Sequence, residues 1–508
     1  MATSATASDP IIISIDAGTT GVRSFAIDAR GVPLGFTYRE FTQHFPHPGW
    51  VEHDAAEIWT SVVATLDELT ARLQRPVAAI GITNQRETIV VWDRITGKPL
   101  HRAIVWQDRR TADRCDKLRD SGALDIVRKT TGLVLDPYFS GTKLAWIFGE
   151  GGVTATPDTL AGTIDSWLVW NLTGGFAPES RNRAVHVTDP SNASRTMLYD
   201  ITAARWSAEM CELLGAPIHV LPTVVASSGR MGVTADVHGV GPGIPISGIA
   251  GDQQAALFGQ ACFTPGAVKN TYGTGSFILM NAGTTCPPLK DGLLTTVAWQ
   301  LAGEPLTYAY EGAVFVTGAA IQWLRDGLGI INSAAETGPL AASVPDTNGA
   351  YFVPALVGLG TPWWDPHARG TILGITRGTT RAHIARAAVE AMAYQTRDVV
   401  DLMTESAGLP VQKMRVDGGA SVMDALCQFQ ADQLGAPVAR PVTQETTALG
   451  AAYLAGLAEG VWASTAELAE HWQLDAEFTP DLSVDARRDS QAKYAMWKRA
   501  VTRSLAWD

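Results

Sequence analysis

The first part of the chain alternates short apolar runs with small, turn-forming residues. Residues 11–16 and 22–28 are apolar segments on either side of a Gly/Thr turn, and residues 30–33 form a second turn. Apolar segments of this length between turn residues are typical of β-strands. The pattern therefore predicts a β-meander near the N-terminus.

A helix is predicted after the meander. Asp54 and Glu57 have the spacing of a capping box, the pairing that closes the N-terminus of a helix. Apolar residues then recur every three or four positions, as on one helical face; they are Ile58, Val62, Leu66, Leu69 and Leu73. Residues 77–83 and 88–92 predict two further strands.

The same pattern begins again in the second half of the chain. Residues 267–272 and 277–281 flank another Gly/Thr turn and repeat the plan of the first hairpin. Thr380 is predicted to cap a long helix, residues 413–416 to form a strand, and residues 447–457 a helix of small residues. Strands that alternate with helices predict an α/β fold with a parallel or mixed sheet. The restart predicts two divergent copies of one plan with a cleft between them.

The length and charge of the chain narrow its class. At 508 residues it is longer than one hydrophobic core usually supports, so we expect at least two domains. The net charge is −12 and no basic run stands out, which argues against binding to nucleic acid or anionic membranes. The five cysteines are scattered and lack a C-x-x-C pair, which favours reduced thiols and neither a disulfide framework nor a zinc site.

Neither export nor membrane insertion is predicted. Residues 1–10 are small and polar, without the basic and apolar parts of a signal peptide. No uninterrupted apolar stretch approaches the length of a membrane span. We therefore expect a soluble cytoplasmic protein.

The stretch G-I-A-G-D-Q-Q at residues 248–254 places one carboxylate between a glycine turn and an apolar helix start. A single Asp among glycines usually only shapes a turn. However, residues 14–21 and 270–276 each contain a Gly/Thr turn of the kind that can hold phosphate, so ATP-dependent phosphorylation of a small molecule is predicted. Asp252 is then the candidate general base, which accepts the hydroxyl proton as the O–P bond forms. Gln253 could bond two hydroxyls.

The first Gly/Thr turn has the residue types that phosphate binding requires. Gly18 and Gly21 allow positive φ angles and a close approach of backbone N–H groups to an anion. Thr19 and Thr20 add hydroxyl donors, and Asp16 at the strand end could hold Mg²⁺ through water. An ordinary β-turn is the alternative.

The second turn carries Thr274 between two glycines and could contact the phosphates from the opposite side of the cleft. Taken alone, such a turn is common. Arg23, just after the first turn, could reach a phosphate or lie on an exposed face. The chain has no G-x-x-x-x-G-K-[ST], G-x-G-x-x-G, G-x-S-x-G or H-E-x-x-H motif, which argues against P-loop, Rossmann, serine-hydrolase and zincin chemistry.

Arg86 and Glu87 follow a predicted buried strand. A cation next to an anion can clamp neighbouring hydroxyls of a polyol, because one donates and the other accepts hydrogen bonds. The alternative is a surface ion pair at the strand end. Trp106 and Tyr138 could add an apolar wall and a hydroxyl contact, although each alone is a weak signal. The Gly-Gly turn at residues 418–419 could admit a flat purine or simply connect a strand to a helix.

These motifs, in this order, resemble the FGGY family of carbohydrate kinases within the actin/hexokinase/Hsp70 ATPase superfamily. The resemblance covers nearly the whole chain and includes long matching runs, at residues 48–54, 81–87, 136–143, 191–197, 246–260 and 396–398. It implies an α/β fold of two duplicated ribonuclease-H-like (actin-like ATPase) domains with a nucleotide and substrate cleft between them. Residues 10–257 would carry the polyol site and the first phosphate hairpin. Residues 258–508 would carry the second phosphate hairpin and the adenosine site.

The resemblance also implies the reaction of glycerol with ATP and Mg²⁺ to give sn-glycerol 3-phosphate and ADP. The run N-Q-R-E-T at residues 84–88 differs from the Q-x-H-G that xylulose and gluconate kinases of the family tend to carry. The implied glycerol contacts are Arg86, Glu87, Tyr138, Asp252 and Gln253, with Trp106 and Phe277 as the apolar wall. The implied ATP contacts are Thr19, Thr20, Gly21, Arg23, Thr274, Gly318, Gln322, Gly419 and Met423. The candidate magnesium ligands are Asp16 and Asp252.

The chain departs from the family pattern in three places. Gly21 stands where enteric bacterial members usually carry Ser, which removes one hydroxyl contact to phosphate. Met423 occupies a position that is often Asn, which should weaken polar contact with adenine. Residues 240–244 lack the Arg with which enteric relatives bind fructose 1,6-bisphosphate, so weak or absent inhibition by that sugar is predicted.

His238 lies where some Gram-positive relatives carry a histidine that a phosphocarrier protein phosphorylates. The surrounding residues match poorly, so a solvated loop histidine is the preferred interpretation. A homodimer or homotetramer is expected. Two competing functions stay open: a kinase for another small polyol or ketose on the same fold, and a non-catalytic nucleotide switch, which would need no polyol clamp.

Overall fold

The computed structural model describes residues 10–507, and a six-stranded mixed sheet lies at the centre of the first half. Its strands are β1 (Ile11–Ala17), β2 (Gly21–Asp28), β3 (Pro33–Glu40), β4 (Val77–Asn84), β5 (Ser228–Val233) and β6 (Pro245–Gly251). Their order across the sheet is β5-β6-β4-β1-β2-β3. β1, β2 and β3 pair antiparallel, which confirms the predicted meander, and β4 runs parallel to both β1 and β6.

A seven-stranded sheet forms the centre of the second half and repeats this plan. Its strands are β7 (Val268–Tyr272), β8 (Ser276–Gly283), β9 (Leu294–Gln300), β10 (Leu306–Val314), β11 (Met414–Asp417), β12 (Val438–Pro441) and β13 (Leu474–Phe478). Their order is β9-β10-β8-β7-β11-β12-β13. Apart from β9, each sheet consists of an antiparallel meander, two parallel strands beside it and an antiparallel edge strand. The predicted duplication is therefore present in the strand order.

Helix α1 (Ala55–Leu73) packs against the first meander, and four of the five apolar positions predicted for its inner face are buried. The Asp54 carboxylate caps the helix by accepting the N–H groups of Ala56 and Glu57. The second half of the predicted capping box is wrong. The Glu57 carboxylate accepts from the backbone and hydroxyl of Thr42 instead, at 3.1 and 3.0 Å. The chain leaving the meander passes this helix end, so a tertiary contact replaces the local one.

The other main helices are α2 (Asp252–Gly259), α3 (Gly318–Asp326), α4 (Arg381–Ala407), α5 (Asp424–Leu434), α6 (Thr446–Ala458) and α7 (Val484–Val501). Thr380 caps α4 as predicted, in a reciprocal pair with His383. Shorter helices are Ala112–Asp120, Leu124–Thr131, Ser140–Phe148, Ile164–Trp170, Pro190–Ala193, Ala208–Leu214, Thr337–Ala342 and Thr465–Glu470.

Small sheets complete the structure. A five-stranded sheet consists of Gln43–His44, Glu52–His53, Ala103–Ile104, Ile89–Asp93 and Thr159–Thr163. The strand pairs are Val187–Thr188 with Thr223–Val224, Tyr199–Asp200 with Arg205–Trp206, and Tyr351–Val353 with Thr371–Leu373.

Helix α6, from the second half, lies across the first sheet. Gly81 in β4 and Gly248 in β6 face its backbone so closely that a Cβ atom on either would overlap it. α6 also packs on α2 through Gly450 and Gly259, again without room for a Cβ atom on either glycine. A hydrophobic cluster with members from both halves surrounds these contacts, so the halves share part of their core.

None of the helices between residues 10 and 507 combines the length and the apolar character needed to cross a bilayer. All five cysteines lie in the described range as free thiols, and four are buried. The signal-peptide prediction concerns residues 1–10, which fall outside the described residues except for the last.

Candidate active site

The two Gly/Thr turns lie at the ends of equivalent hairpins. The first turn joins β1 to β2, and the second joins β7 to β8. Each is closed by a backbone hydrogen bond between its glycines. Gly18 N donates to Gly21 O at 3.0 Å, and Gly273 N donates to Gly275 O at 2.8 Å.

Position 21 requires glycine because a side chain would not fit there, not because the backbone has a positive φ angle. Neither Gly18 nor Gly21 has a positive φ, so the conformation for which these glycines seemed suited is not used. A Cβ atom at position 21 would lie 2.5 Å from the Arg39 carbonyl oxygen and 2.6 Å from the Tyr38 hydroxyl. A serine at this position would therefore force β3 to move.

The first turn is held from behind by side chains for which no role was predicted. Gln85 Nε2 donates to the Gly18 carbonyl at 3.0 Å, and Gln43 Nε2 donates to the Thr19 carbonyl at 2.9 Å. His53 lies between the two amides, 2.7 Å from Gln43 and 3.3 Å from Gln85. Burial lowers the pKa of His53 to about 4, so its ring is neutral at physiological pH. This network fixes the peptide groups of the turn.

Arg86 and Glu87 belong to a buried cluster of charges at the end of β4. Both side chains are 1% exposed, which excludes the alternative of a surface ion pair. The Arg86 guanidinium makes a bidentate pair with Glu311 of β10, at 2.5 and 3.0 Å. Arg195 donates to Glu87 at 2.7 Å and to Glu311 at 3.1 Å. Two arginines and two glutamates thus neutralise one another out of contact with solvent.

The two glutamates of the cluster respond differently to this environment. Burial raises the pKa of Glu311, but the guanidiniums of Arg195 and Arg86 outweigh it, and the pKa lies below its usual value. At Glu87 burial outweighs the same arginines, and the pKa is raised. Glu87 also has a φ of 62°, a left-handed conformation that costs a non-glycine residue about 1–3 kcal/mol. Backbone strain and a perturbed carboxyl are typical of functional sites.

Asp252 is the first residue of α2 and lies beside this cluster. Its side chain is 32% exposed, and its Oδ1 lies 3.2 Å from Arg86 Nε. Burial raises the pKa of Asp252 against the lowering effects of Arg86 and Lys269. The Gln253 Oε1 accepts from Lys269 Nζ at 2.5 Å, and burial lowers the pKa of Lys269 to about 8. A partly exposed carboxylate among buried cations is suited to accept a proton from a group in the cleft.

Aromatic rings form a wall next to Arg86. The Tyr138 hydroxyl accepts from Arg86 Nη2 at 3.2 Å, and its ring meets Trp106 edge-on at 5.7 Å. The Arg86 guanidinium lies 5.7 Å from the ring centroid of Phe277 in β8. Trp106 Nε1 donates to Thr19 Oγ1 at 2.9 Å, so the aromatic wall is joined to the first Gly/Thr turn.

Asp16 and Arg23 occupy opposite positions on β1 and β2. Burial raises the pKa of Asp16 to about 6 against the effect of Arg23, and Asp252 adds to the rise. The carboxylates of Asp16 and Asp252 therefore repel each other electrostatically. Arg23 pairs with Glu445 of the second half and lies 4.9 Å from the ring centroid of Phe36, so it is neither free nor fully exposed.

Four of the nine residues predicted to contact ATP are exposed, four are half-buried and Gly21 is buried. Those that are exposed are Thr20, Thr274, Gln322 and Gly419. Gly318 begins α3 against the second turn, where its N–H bonds the Gly273 carbonyl at 3.1 Å. Met423 is half-buried directly before α5. The end of β11 is anchored by Asp417, which accepts from Gln260 at 2.6 Å.

Several side chains of the site were missed by the sequence analysis. Arg195, Glu311, Lys143 and Lys269 are all fully buried, and each neutralises or orients a predicted residue. Lys143 Nζ, for example, donates to the Tyr138 carbonyl at 2.6 Å. One signal could have revealed Glu311: it is a lone charge within the apolar run Y-A-Y-E-G-A-V-F-V.

His238 has the solvated position that was preferred for it. Its side chain is 76% exposed, and Nδ1 lies 3.1 Å from Oδ1 of Asp67.

Comparisons with known proteins agree along the whole chain. The N-terminal domain of the FGGY family of carbohydrate kinases matches residues 11–259, and the C-terminal domain of that family matches residues 268–459. Glycerol kinase 2 of Thermotoga maritima is 54% identical over 505 residues, which cover 98% of this chain and 99% of that protein. Glycerol kinase of Carboxydothermus hydrogenoformans is 53% identical and covers 98% of both chains.

Solved structures have the same fold. Plasmodium falciparum glycerol kinase with ADP aligns over 99% of both chains, with a TM-score of 0.90 and 33% identity. Gluconate kinase from Lactobacillus acidophilus aligns over 97% of both chains with a TM-score of 0.87. Because its identity is 20%, that likeness concerns the fold alone.

Proposed function

The chain belongs to the FGGY family of carbohydrate kinases, and from this premise we propose that it transfers the terminal phosphoryl group of ATP to glycerol. Relatives named glycerol kinase match it at 54 and 53% identity over nearly the full length of both chains. The products that we infer are sn-glycerol 3-phosphate and ADP.

One observation about the site carries this proposal. Arg86 Nε is a buried donor without a hydrogen-bond acceptor among residues 10–507, although Asp252 lies 3.2 Å away. Leaving a buried donor unsatisfied costs about 1–3 kcal/mol. A polyol hydroxyl placed beside both atoms would accept from the guanidinium and donate to the carboxylate. Glu87 and Tyr138 would bond the neighbouring hydroxyl, and glycerol has the closely spaced hydroxyls that such a clamp requires.

Asp252 would act as the general base. As the glycerol oxygen forms its bond to the γ-phosphorus, the carboxylate accepts the hydroxyl proton, and the bond between that phosphorus and the ADP oxygen breaks. The raised pKa makes Asp252 a stronger base than an ordinary Asp. Gln253 would bond a second hydroxyl, with its amide held by Lys269.

The two Gly/Thr turns would hold the phosphates of ATP from opposite halves, through backbone N–H groups and threonine hydroxyls. The residues proposed for this contact are Thr19, Thr20, Gly21 and Thr274. The residues proposed around the adenosine are Gly318, Gln322, Gly419 and Met423. Arg23 would have to exchange its partner Glu445 for a phosphate.

Asp16 and Asp252 would hold Mg²⁺, which neutralises phosphate charge when it is bound. The residues fit this ion because the charge of Asp252, after burial, adds to the rise in the pKa of Asp16, so the two carboxylates repel and a cation near both would relieve that repulsion. No group of three or more His, Cys, Asp or Glu within the described chain is arranged as a metal site. Two carboxylates suit Mg²⁺, which keeps several water ligands and takes others from phosphate.

The halves are proposed to act as two domains, residues 10–257 and 258–508, that close over the substrates. The two family matches meet near this boundary, since one ends at residue 259 and the next begins at residue 268. We place the enzyme in the cytoplasm as a homodimer or homotetramer. Size-exclusion chromatography with light scattering tests the assembly.

A coupled assay of ADP release tests the substrate. The panel is glycerol, dihydroxyacetone, erythritol, xylulose and gluconate, and kcat/KM should be highest for glycerol. Faster turnover of another member would assign the site to that substrate instead. ADP release that does not respond to any polyol would indicate a nucleotide switch.

A further inference from the structure

A cavity lies between the two halves, beside the hairpin that joins β2 to β3. Its volume is about 600 Å³, within the range of small-molecule sites. One wall is the hairpin between β2 and β3, and the other is formed by α6 with residues 441–446 and 471–473. The first Gly/Thr turn and the tip of this hairpin lie at opposite ends of β2. At about 3.3 Å per residue, the turn is roughly 25 Å from the hairpin tip.

The cavity is largely apolar, but two of the residues that line it each carry a polar atom without a hydrogen-bond partner among residues 10–507. Phe25, Leu34 and Leu449 are among the apolar residues that line it. The Tyr453 hydroxyl and His471 Nε2 are buried, and neither has a hydrogen-bond partner in the part of the chain that the structure describes. Tyr453 as a whole is 1% exposed.

The Tyr453 and His471 side chains converge at the tip of the β2–β3 hairpin. A Cβ atom on Gly31 would lie 3.1 Å from the Tyr453 hydroxyl and 3.2 Å from His471 Cβ. Trp462 meets both rings edge-on, with centroid distances of 5.3 and 6.0 Å, and so holds them side by side. A buried hydroxyl without a hydrogen bond destabilises the protein, and a bound molecule that supplies the bond removes that cost.

The charged side chains at the rim are already paired. Arg30 donates to Asp28 at 3.0 and 2.6 Å, and Glu445 pairs with Arg23. An ionic ligand would have to displace one of these partners, so a neutral ligand is favoured.

We propose that this cavity binds a neutral, planar aromatic molecule with one hydroxyl or ring N–H. Its ring would pack between the apolar walls, and its polar group would bond Tyr453 and His471. The polar end of the site lies at the tip of the β2–β3 hairpin, whereas its rim carries Glu445, the partner of Arg23 in the proposed ATP site.

The test uses 4-fluorophenol, a neutral phenol whose fluorine NMR signal reports binding. The full-length protein is titrated with glycerol and ADP at saturation, so that the active-site cleft is filled. 4-Fluorophenol should bind, and fluorobenzene, which lacks the hydroxyl, should bind at least about fivefold more weakly, as expected for one hydrogen bond. Absence of binding, or competition with glycerol or ADP, would overturn the proposal.

Variants locate the probe. Tyr453→Phe should weaken binding about fivefold while Tm stays the same or rises, because an unpaired buried group is removed. The matched control Tyr351→Phe removes a hydroxyl that bonds the Lys493 carbonyl, and should leave the affinity unchanged. Val32→Trp should fill the cavity from its rim and abolish binding. Equal affinity in the wild type and Tyr453→Phe, or binding that survives Val32→Trp, would show that the probe binds elsewhere and refute the site.

Discussion

The two ends of the cleft are built in different ways. At the proposed polyol end, Arg86 and Glu87 are buried and held by partners such as Glu311. At the proposed nucleotide end, Thr20 and Thr274 are exposed and lie on the turns whose backbone N–H groups are proposed to bind phosphate. Buried, paired charges select one arrangement of hydroxyls, because any other leaves a charge unpaired. Backbone N–H groups of a turn can bind a triphosphate without selecting among polyols. Discrimination between polyol substrates should therefore depend on the polyol end.

The largest effect is expected from Asp252→Asn, which keeps the shape of the side chain but removes the base. We expect kcat to fall by about 10²–10⁴-fold, the usual contribution of general base catalysis. ADP affinity, measured by calorimetry without Mg²⁺, which Asp252 is proposed to help hold, should be nearly unchanged. Asp326→Asn at the exposed end of α3 is the matched control and should retain full activity. Normal turnover by Asp252→Asn would rule out its role as the base.

Arg86→Ala should damage the polyol end almost as severely. Losing one partner of a buried, hydrogen-bonded charge pair costs about 2–5 kcal/mol, so KM for glycerol should rise by at least about 30-fold. Tm should also fall, because Glu311 loses its bidentate partner. The control Arg94→Ala breaks an exposed ion pair with Asp158 and should change neither value. An unchanged KM would mean that glycerol is not bound at Arg86.

Glu311→Gln tests whether the buried network matters beyond its direct contacts. Glu311 is not proposed to touch substrate, but its charge holds both Arg86 and Arg195. We expect KM for glycerol to rise about tenfold with a smaller change in kcat, and Glu311→Asp to recover part of the loss. A lower Tm with an unchanged KM would make the residue purely structural.

The pH profile of kcat/KM should show the titration of both Asp252 and Lys269. Asp252 must be ionised, and its raised pKa places the acidic limb at a higher pH than an ordinary Asp would. Lys269 must keep its proton to hold Gln253, and its pKa of about 8 predicts that kcat/KM for glycerol falls as pH rises through about 8. Lys269→Met should remove the alkaline limb and move the acidic limb to higher pH, because Lys269 lowers the pKa of Asp252. An alkaline limb that persists in this variant would assign it to another group.

The smallest effect is expected at the nucleotide end. Gln322→Ala removes one exposed amide, and a single hydrogen bond contributes about 0.5–1.5 kcal/mol. KM for ATP should therefore rise by roughly two- to tenfold, without any change in KM for glycerol. A loss as large as that of Arg86→Ala would remove the contrast between the two ends.

Much of this arrangement could be predicted because its signals are local. The hairpin at residues 17–21, the helix that begins at Asp252 and the strand that ends just before Arg86 each follow from a few consecutive residues. The position of a polar residue at the end of a strand can also be predicted locally, because it follows from the residue at which the strand ends.

The partners of these residues could not be predicted, because they come from distant parts of the chain. Glu311 is 225 positions from Arg86, and no spacing in the sequence links them. The reason why position 21 requires glycine was also missed, because it lies in residues outside the turn. Its lack of a side chain is required by Arg39 and Tyr38 on the adjacent strand, not by the turn in which it lies.

The contact between Gly259 and Gly450 lies outside the proposed substrate sites, but helix α2 links it to Asp252, the proposed base. Asp252 and Gly259 are the two ends of one helix, about 10 Å apart at 1.5 Å per residue. A methyl group on either glycine would wedge α2 and α6 apart and displace the Asp252 carboxylate at the other end of α2. Even an alanine there would slow phosphoryl transfer from a distance, while every group that meets glycerol or ATP stayed chemically intact.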